Sequence, residues 1–464
     1  MLQPGSSGPR IYRLRLRQLS AAGFPRKFNK SGGIPLRTFL TTILGASLAS
    51  AALSTSALAG GFQRGTADTD ILFEQGTAVM RTGVTYVNPQ RGFESINGQS
   101  GNFGTYTQNY LIPSLAFGIN SEMAGCAGTY VISFAAESDY TGAPGGALPA
   151  GPTANSRTET SEFESNEFGL TCRLSYTNDI GRFSILGGVF AEDFTFDGTS
   201  LSGTPVGAAP LPGGGTTPVF LPVRTTVETK SDYAIGYRVG AAFEKPEIAL
   251  RAQVMYRSEA THDNFTGTGS VVSNGNAYII GPGGAQVVVP TAVPPAGTTV
   301  AAGTSNFSEV VSPQSLYINA QTGIAPGTLL LASFRWTDWS TNGTAVSSIS
   351  TGGVTRSSLS PYNWRDGYTA SIGLGRAFTD EISAAVSVGY DRGVSTGSET
   401  TYTDLYTLAG GVSFKANEWS ELRFGGLVGY WTDGEQSIND GAYFNATVGD
   451  DFVYAVNASM KFTF

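Results

Sequence analysis

The sequence predicts an all-β protein, a transmembrane antiparallel β-barrel of about 14 strands with a short N-terminal plug, or hatch, in its lumen. Three features carry that expectation. Apolar and polar residues alternate in many segments, short and long connections take turns along the chain, and charge is scarce while Gly and aromatic residues are plentiful.

Strict alternation puts one class of residue on each face of a strand. The last segment shows it best. Phe452, Tyr454, Val456, Ala458, Met460, Phe462 and Phe464 form an apolar row, opposed by Asn457, Ser459, Lys461 and Thr463. The same pattern runs through Tyr233, Ile235, Tyr237, Val239, Ala241 and Phe243, and through Ile248, Leu250, Ala252, Val254 and Tyr256. It recurs in Ile382, Ala384, Val386, Val388 and Tyr390, and in Leu422, Phe424, Gly426, Val428 and Tyr430. Aromatic residues at the row ends suit the two interfaces of a membrane. A soluble sandwich strand also alternates, but the number of rows and the connections between them favour a barrel.

Short connections fall near Asn120–Gly125, Asn178–Gly181, Lys245-Pro246, Gly323–Gly327, Thr379–Glu381 and Asn417–Ser420. Long ones lie between them, at about 140–163, 198–230, 264–306, 341–363, 393–402 and 435–449. Tight turns at one end and long loops at the other are the habit of transmembrane barrels, and an even strand count returns both chain ends to the turn side.

Charged residues are 14% of the 464, against about 25% in a soluble domain. Residues 1–59 hold eight basic side chains (Arg10, Arg13, Arg15, Arg17, Arg26, Lys27, Lys30 and Arg37) and no acidic one. Setting those eight aside from the 28 leaves 20 basic against 36 acidic groups, a net charge of −16. Such a surface is ill suited to nucleic acid, whose binding rests on clustered Lys and Arg. The run Thr38 to Leu58 follows Arg37 and ends in Ala57-Leu58-Ala59, a small-x-small pattern that predicts cleavage of an exported leader after Ala59. A buried or spanning helix is the other reading of this run, and its Ser, Thr and Gly content speaks against it. The expected organisation is therefore a removed leader at 1–59, a hatch at 60–78 and the barrel at 79–464. Residues 60–78 are polar and Gly-rich, with Phe62, Ile71, Leu72 and Phe73 as large apolar groups; they form either a tail or a luminal plug. Cys126 and Cys172 either pair as a disulfide or stand as separate small strand residues.

Several short segments resemble one family. Gly61-Phe62-Gln63, Val84-Thr85-Tyr86-Val87-Asn88-Pro89, and Tyr256-Arg257-Ser258-Glu259 followed by His262 and Gly267 are similar to segments of FadL/TodX-type outer-membrane transporters of long-chain fatty acids and aromatic hydrocarbons. Phe334-Arg335-Trp336-Thr337-Asp338-Trp339-Ser340 and Asn363-Trp364-Arg365-Asp366 resemble later motifs. The family's Asn-Pro-Ala in the plug is missing, and Phe73-Glu74-Gln75 stands in its place. The resemblance implies passive, hatch-gated passage of hydrophobic small molecules through the outer membrane of a Gram-negative cell. Ligands would be captured at an extracellular groove, held in an internal pocket, and released sideways through the wall or past the hatch. Expected partners are outer-membrane lipid and lipopolysaccharide, and the barrel assembly machinery through the C-terminal Phe464; a monomer is expected.

A fatty acid needs an apolar trough and a cation. Phe220 and Leu221 in the loop 198–230, and Ile279 and Ile280 in the loop 264–306, are candidates for the trough, since apolar surface in water marks binding sites. Alternatively these loops pack on each other and cap the barrel. Arg251, Arg257 and Arg335 are candidates to grip a carboxylate through paired hydrogen bonds. Luminal Arg–Glu pairing is the competing reading, with Glu259 close to Arg257 in sequence. Phe62 is a pocket wall by the resemblance. His262, the single histidine, has Ser258 and Asp263 nearby, yet nothing places the three in a triad, so no enzyme is expected, and no cofactor or metal pattern is present. Two other functions compete: a general diffusion porin with an open, charged constriction, and a surface adhesion or structural barrel.

Overall fold

The computed structural model describes residues 60–141, 148–149, 156–211, 213–281, 286–341 and 343–464. The leader 1–59 and its expected cleavage lie outside them.

The alternating rows become the wall of a closed barrel of 14 antiparallel strands. They are β1 Ala78–Pro89, β2 Tyr110–Asn120, β3 Ala124–Asp139, β4 Ser156–Thr177, β5 Arg182–Glu192, β6 Ala234–Lys245 and β7 Leu250–Arg257. The second half is β8 Ser315–Ala325, β9 Thr328–Thr337, β10 Gly367–Ala377, β11 Ile382–Arg392, β12 Leu405–Asn417, β13 Ser420–Trp431 and β14 Asp451–Thr463. Each strand pairs with the next, and β14 closes on β1 from Val79↔Thr463 to Pro89↔Val453. The outward rows are those the sequence marks: Ile235 and Val189 are exposed while Arg238 and Glu192, on the alternate face, are buried. An apolar outer belt with polar groups inside is the face pattern that a lipid environment selects.

The tight turns all sit at one end, here the turn end, and the long connections at the other, the loop end. Three of those long connections are not irregular. The segments 198–230, 264–306 and 341–363, expected as loops, carry the strands Thr195–Pro210, Thr216–Lys230, Thr266–Ser273, Thr299–Phe307, Thr344–Thr351 and Val354–Pro361. These pair in that order into a rim sheet that begins on β4, where Ser156 to Glu164 pair with Ser202 to Thr195. The length of β4 serves both structures, its later half in the barrel wall and its first half in the rim. Leu221, Val223, Val227, Val271 and Ile349 form the rim's own apolar core. A second, smaller sheet links the connection between β1 and β2 to that between β13 and β14, through Phe93–Ile96, Gln99–Ser100, Gly434–Gln436 and Ala446–Val448.

Cys126 and Cys172 are paired as a disulfide. They are opposite residues of β3 and β4, on the outward face near the turn end.

Candidate functional site: hatch, wall gap and aromatic pocket

Residues 60–77 run inside the barrel, in two parts. The part nearer the turn end is a single 3-10 turn, Asp70–Phe73, whose Ile71, Leu72 and Phe73 are buried against Val79, Ala116, Leu186 and Met255 of the wall. Charges lock it from every side. Arg81 pairs with Asp68 at 2.7 Å and also with Glu74. Lys461 reaches Glu74 at 3.1 Å, and Arg251 reaches Asp70 at 3.2 Å. Arg173 and Arg251 each lie 5.2 Å from the centre of the Phe73 ring, a cation–π clamp. Asn120 donates its side-chain N–H to the Ile71 carbonyl at 2.9 Å. Phe73 and Glu74, which stand where the resembling family has Asn-Pro-Ala, are thus the anchor of this part.

The part nearer the loop end completes the wall. β2 and β3 pair only from Asn120↔Gly125 to Ser114↔Val131. Contact between them resumes near the loop end, where Asp139 N donates to Tyr106 O at 2.9 Å. Between these limits Leu111–Pro113 and Ile132–Ala136 are not paired with each other, and β3 bulges on its other side between Ile132 and Phe134. The hatch supplies the missing partner. Arg64 N donates to Ser133 O at 2.8 Å, Gly65 N to Ile132 O at 2.9 Å, and Ala135 N to Phe62 O at 3.0 Å. Gly65 is the residue this approach demands: a Cβ there would lie 2.1 Å from Val131 Cγ2 and 2.8 Å from Ile132 O. The bulged Ser133 is fixed from behind by its hydroxyl, which donates to Glu192 at 2.6 Å.

Phe62 projects into a box of rings: Trp364 at 4.4 Å, Phe163 at 4.5 Å, Tyr362 at 5.2 Å, Tyr402 at 5.4 Å and Trp339 at 6.0 Å between centroids. Most meet edge to face, the favoured arrangement for aromatic quadrupoles. A cavity of ≈ 210 Å³ opens on one side of Phe62, lined by Tyr106, Tyr110, Tyr362, Tyr402, Arg64 and Glu399 among others. A smaller one of ≈ 60 Å³ lies on the side of the rim sheet, among Phe134, Phe163, Phe194, Phe196 and Phe307. Rings continue from there toward the rim: Phe163 stacks on Phe194 at 5.3 Å, Phe194 meets Phe265 and Phe307, and Phe196 adjoins the rim core. Burial pushes the Tyr402 hydroxyl up to about 12, so the larger cavity presents neutral phenols.

The residues singled out from the sequence fall in different places. Phe62 lines both aromatic cavities. Leu221 is buried inside the rim sheet, whereas Phe220 points to its other face and stacks on Tyr278 at 5.6 Å. Ile279 and Ile280 are half-buried on the short strand Tyr278–Ile280, far along the same rim. The rim has an apolar core of its own, which includes Leu221 but none of Phe220, Ile279 and Ile280. Arg251 is committed to Asp70. Arg257 pairs with Glu167 at 3.1 Å and Glu192 at 2.5 Å rather than with Glu259, because β7 ends at Arg257 and Glu259 turns outward to solvent. Arg335 alone of the three has no carboxylate partner among the described residues; it lies over the Tyr317 ring at 4.7 Å, and its Nη1 meets no acceptor. With Arg257 it lines a third cavity of ≈ 230 Å³ beside the hatch and the wall gap.

His262 is fully buried, 3.1 Å from both Glu192 and Ser312. Ser258 bonds to the backbone of Tyr237, and Asp263 is exposed. The Nδ1 of His262 faces the Ser231 hydroxyl at 3.3 Å, so both ring nitrogens are engaged, and through Glu192 the buried ring helps to fix the Ser133 hydroxyl. Ser133, Trp339, Trp364 and Asp391 were not legible as site residues. The two tryptophans stood within motifs noted for resemblance, but only the folded chain brings them to Phe62.

No protein-family model matches the sequence, and no curated protein matches it. Solved structures match the fold. A Pseudomonas aeruginosa FadL homologue superposes with a TM-score of 0.61 at 13% identity, covering 91% of this chain and 98% of that one. The P. putida toluene transporter TodX gives 0.56 at 11% identity, with 85% and 92% covered. The Ralstonia pickettii toluene transporter TbuX gives 0.53 at 11% identity, with 88% and 94% covered. At such identity the likeness establishes a shared fold.

Proposed function

We propose that this barrel sits in the bacterial outer membrane, loop end outward, and lets hydrophobic small molecules diffuse through it, with the hatch as the gate. The observation that carries the proposal is the gap between β2 and β3, bridged by backbone hydrogen bonds from residues 62–65 and the Arg64 guanidinium over Tyr110, and bordered by an aromatic pocket. An apolar ligand enters among the rings of the rim, settles beside Phe62 and displaces it. Once Phe62 moves, Arg64 and Gly65 let go of β3, and the gap opens toward the lipid. Nothing polar has to cross the lipid in that route, and burying an apolar tail contributes roughly 0.8 kcal/mol per methylene. A porin would need an open polar lumen, whereas ion pairs here tie residues 68–74 to the inner wall toward the turn end, which supports a closed one. Toluene transport and the FadL relationship of the fold neighbours agree with an apolar cargo.

For a fatty acid, Arg335 is the cation that remains to meet the carboxylate. The test is equilibrium binding of a radiolabelled long-chain fatty acid and of toluene to the purified barrel, with and without residues 60–77, alongside sugar conductance in planar bilayers. Saturable binding with little conductance, and conductance appearing on deletion, is the expected result. Arg335→Gln should weaken the fatty acid by about tenfold and leave toluene unchanged. Steady sugar conductance of the intact protein, with no apolar binding, would overturn the proposal in favour of a porin.

A further inference from the structure

We propose that the Cys126–Cys172 disulfide is made by exchange with a periplasmic dithiol–disulfide oxidoreductase before the barrel enters the membrane, and that it sets β3 on β4 in advance of insertion. The inference rests on the outer-membrane reading above and is independent of what the barrel carries.

Cys126 and Cys172 are the chain's two cysteines, and they stand directly opposite each other on β3 and β4. Both belong to outward rows. On β4 that row runs Phe168, Leu170, Cys172, Leu174 and Tyr176, and its large side chains are exposed. Beside the pair, Ile119 of β2 faces Cys126 and Ile185 of β5 faces Leu174, both exposed as well. Rings bracket this aliphatic patch. Tyr176 stands opposite Phe183 toward the turn end, and Tyr130 stands opposite Phe168 toward the loop end. The sulfurs lie between those rings, in the belt that faces hydrocarbon.

That position fixes the order of events. Exchange needs an anionic sulfur and close approach by the partner's active site. An unpaired charge is costly in hydrocarbon, and a soluble enzyme stays in water. The oxidant therefore meets the cysteines while this face of the strands is still wet. One cysteine thiolate attacks the enzyme's disulfide, which forms a mixed disulfide and releases one enzyme thiolate. The second cysteine thiolate attacks the first cysteine's sulfur, and the other enzyme thiolate leaves. Two electrons and two protons pass to the enzyme, which departs as a dithiol. With two cysteines only one pairing exists within the chain, so no reshuffling step follows.

β3 is the strand that gains most from an early bond. Its ladder with β2 is confined to Ser114↔Val131 through Asn120↔Gly125, and its ladder with β4 is broken by the bulge between Ile132 and Phe134. Face alternation cannot fix its register alone, because a slip of two residues keeps every side chain on its own face. A bond between Cys126 and Cys172 excludes that slip before β3 meets β2 or the hatch.

The experiment begins with cells expressing the full chain. After a pulse label, alkylated samples are run on non-reducing gels and compared with trypsin resistance, which marks the inserted barrel. The disulfide should appear first. In a second arm the reduced chain is folded from urea into phospholipid vesicles and exposed to charged 2-sulfonatoethyl methanethiosulfonate. Its thiols should react at least about tenfold more slowly than those of the same chain in urea. Oxidised and reduced chains folded in parallel should differ, the oxidised one reaching trypsin resistance sooner. A reduced chain that does not fold at all supports the register role, and the pulse label then decides the order of events. A disulfide that forms only after trypsin resistance, folded thiols as reactive as those in urea, or equal folding rates would overturn the proposal. Sedimentation of the labelled chain away from outer membranes would instead remove the reading on which it rests.

Discussion

Residues 68–74 and residues 60–66 belong to one short segment, yet different chemistry holds them. The first part is an apolar turn sunk into the wall and ringed by Arg81, Arg251, Arg173 and Lys461, with carboxylates of its own to meet them. The second is held by three backbone hydrogen bonds, the Phe62 ring, the Arg64 guanidinium 4.2 Å over the Tyr110 ring, and the contact of Gly60 with Asp391. Buried charge pairs are strongly disfavoured from breaking one partner at a time. Backbone bonds to a strand edge exchange with water or another partner at little net cost, about 1 kcal/mol each. The difference teaches which half stays and which half gates: an anchor that cannot leave carries a flap that can.

The largest effect should come from attacking the anchor. Arg81→Met strips the half-buried Asp68 of its cation and leaves the Glu74 carboxylate with Lys461 alone, a loss of roughly 3–5 kcal/mol. The whole of 60–77 should then detach, seen as proteolysis at both Arg64 and the anchor and as sugar conductance in bilayers. Phe62→Ala strikes the flap alone. It removes one half-buried ring and its edge-to-face contacts, roughly 2–4 kcal/mol, and should free residues 60–66 while the lumen stays closed to sugars. Emission from Trp339 and Trp364 should shift to the red as water replaces the ring. If Phe62→Ala conducts sugars as well as Arg81→Met does, the anchor and flap are one unit and the division between them fails.

How far the sequence revealed this varies with the kind of contact. The wall was legible because lipid imposes a rule on every second residue, and Tyr233 to Phe243 or Phe452 to Phe464 could satisfy it only facing outward. The rim sheet was not, because prolines such as Pro218 and Pro222 read as loop signals. They are tolerated in Thr216–Lys230 because its continuous second pairing, with Thr266–Ser273, covers only Val223 to Lys230, and the earlier residues are paired on that side at Phe220↔Tyr278 alone. The charge pairs were hidden for a different reason. Arg257 meets Glu192 and Glu167 across strands that closure of the barrel brings together, and nearness in sequence pointed to Glu259 instead. Phe62 was visible through resemblance, whereas the box around it is assembled from β4 and two separate connections, β9 to β10 and β11 to β12.

The smallest expected effect sharpens the comparison by titrating the flap without touching the anchor. Glu399, in the connection between β11 and β12, accepts a hydrogen bond from Trp364 Nε1 at 3.0 Å and so holds one wall of the ring box. Burial pushes its carboxyl above the ordinary value of 4.5, with the hydrogen bonds from Thr401 and Trp364 opposing the shift only in part. The folded box therefore favours the protonated acid. That contribution is fully present below the ordinary glutamate value and is lost as pH rises through the raised one, so the box should tighten on acidification. Glu399→Gln keeps an acceptor for Trp364 and has no charge to gain; its box should hold at neutral pH as the wild type does in acid. Tryptophan emission followed from acid to neutral pH should shift in the wild type and stay flat in Glu399→Gln, with trypsin cleavage after Arg64 changing in parallel. Protection of residues 68–74 should not change with pH in either protein, because Glu399 touches only the flap's pocket. A pH shift that survives in Glu399→Gln would assign the titration to another group, and one that also loosened the anchor would show that the two halves communicate through the wall.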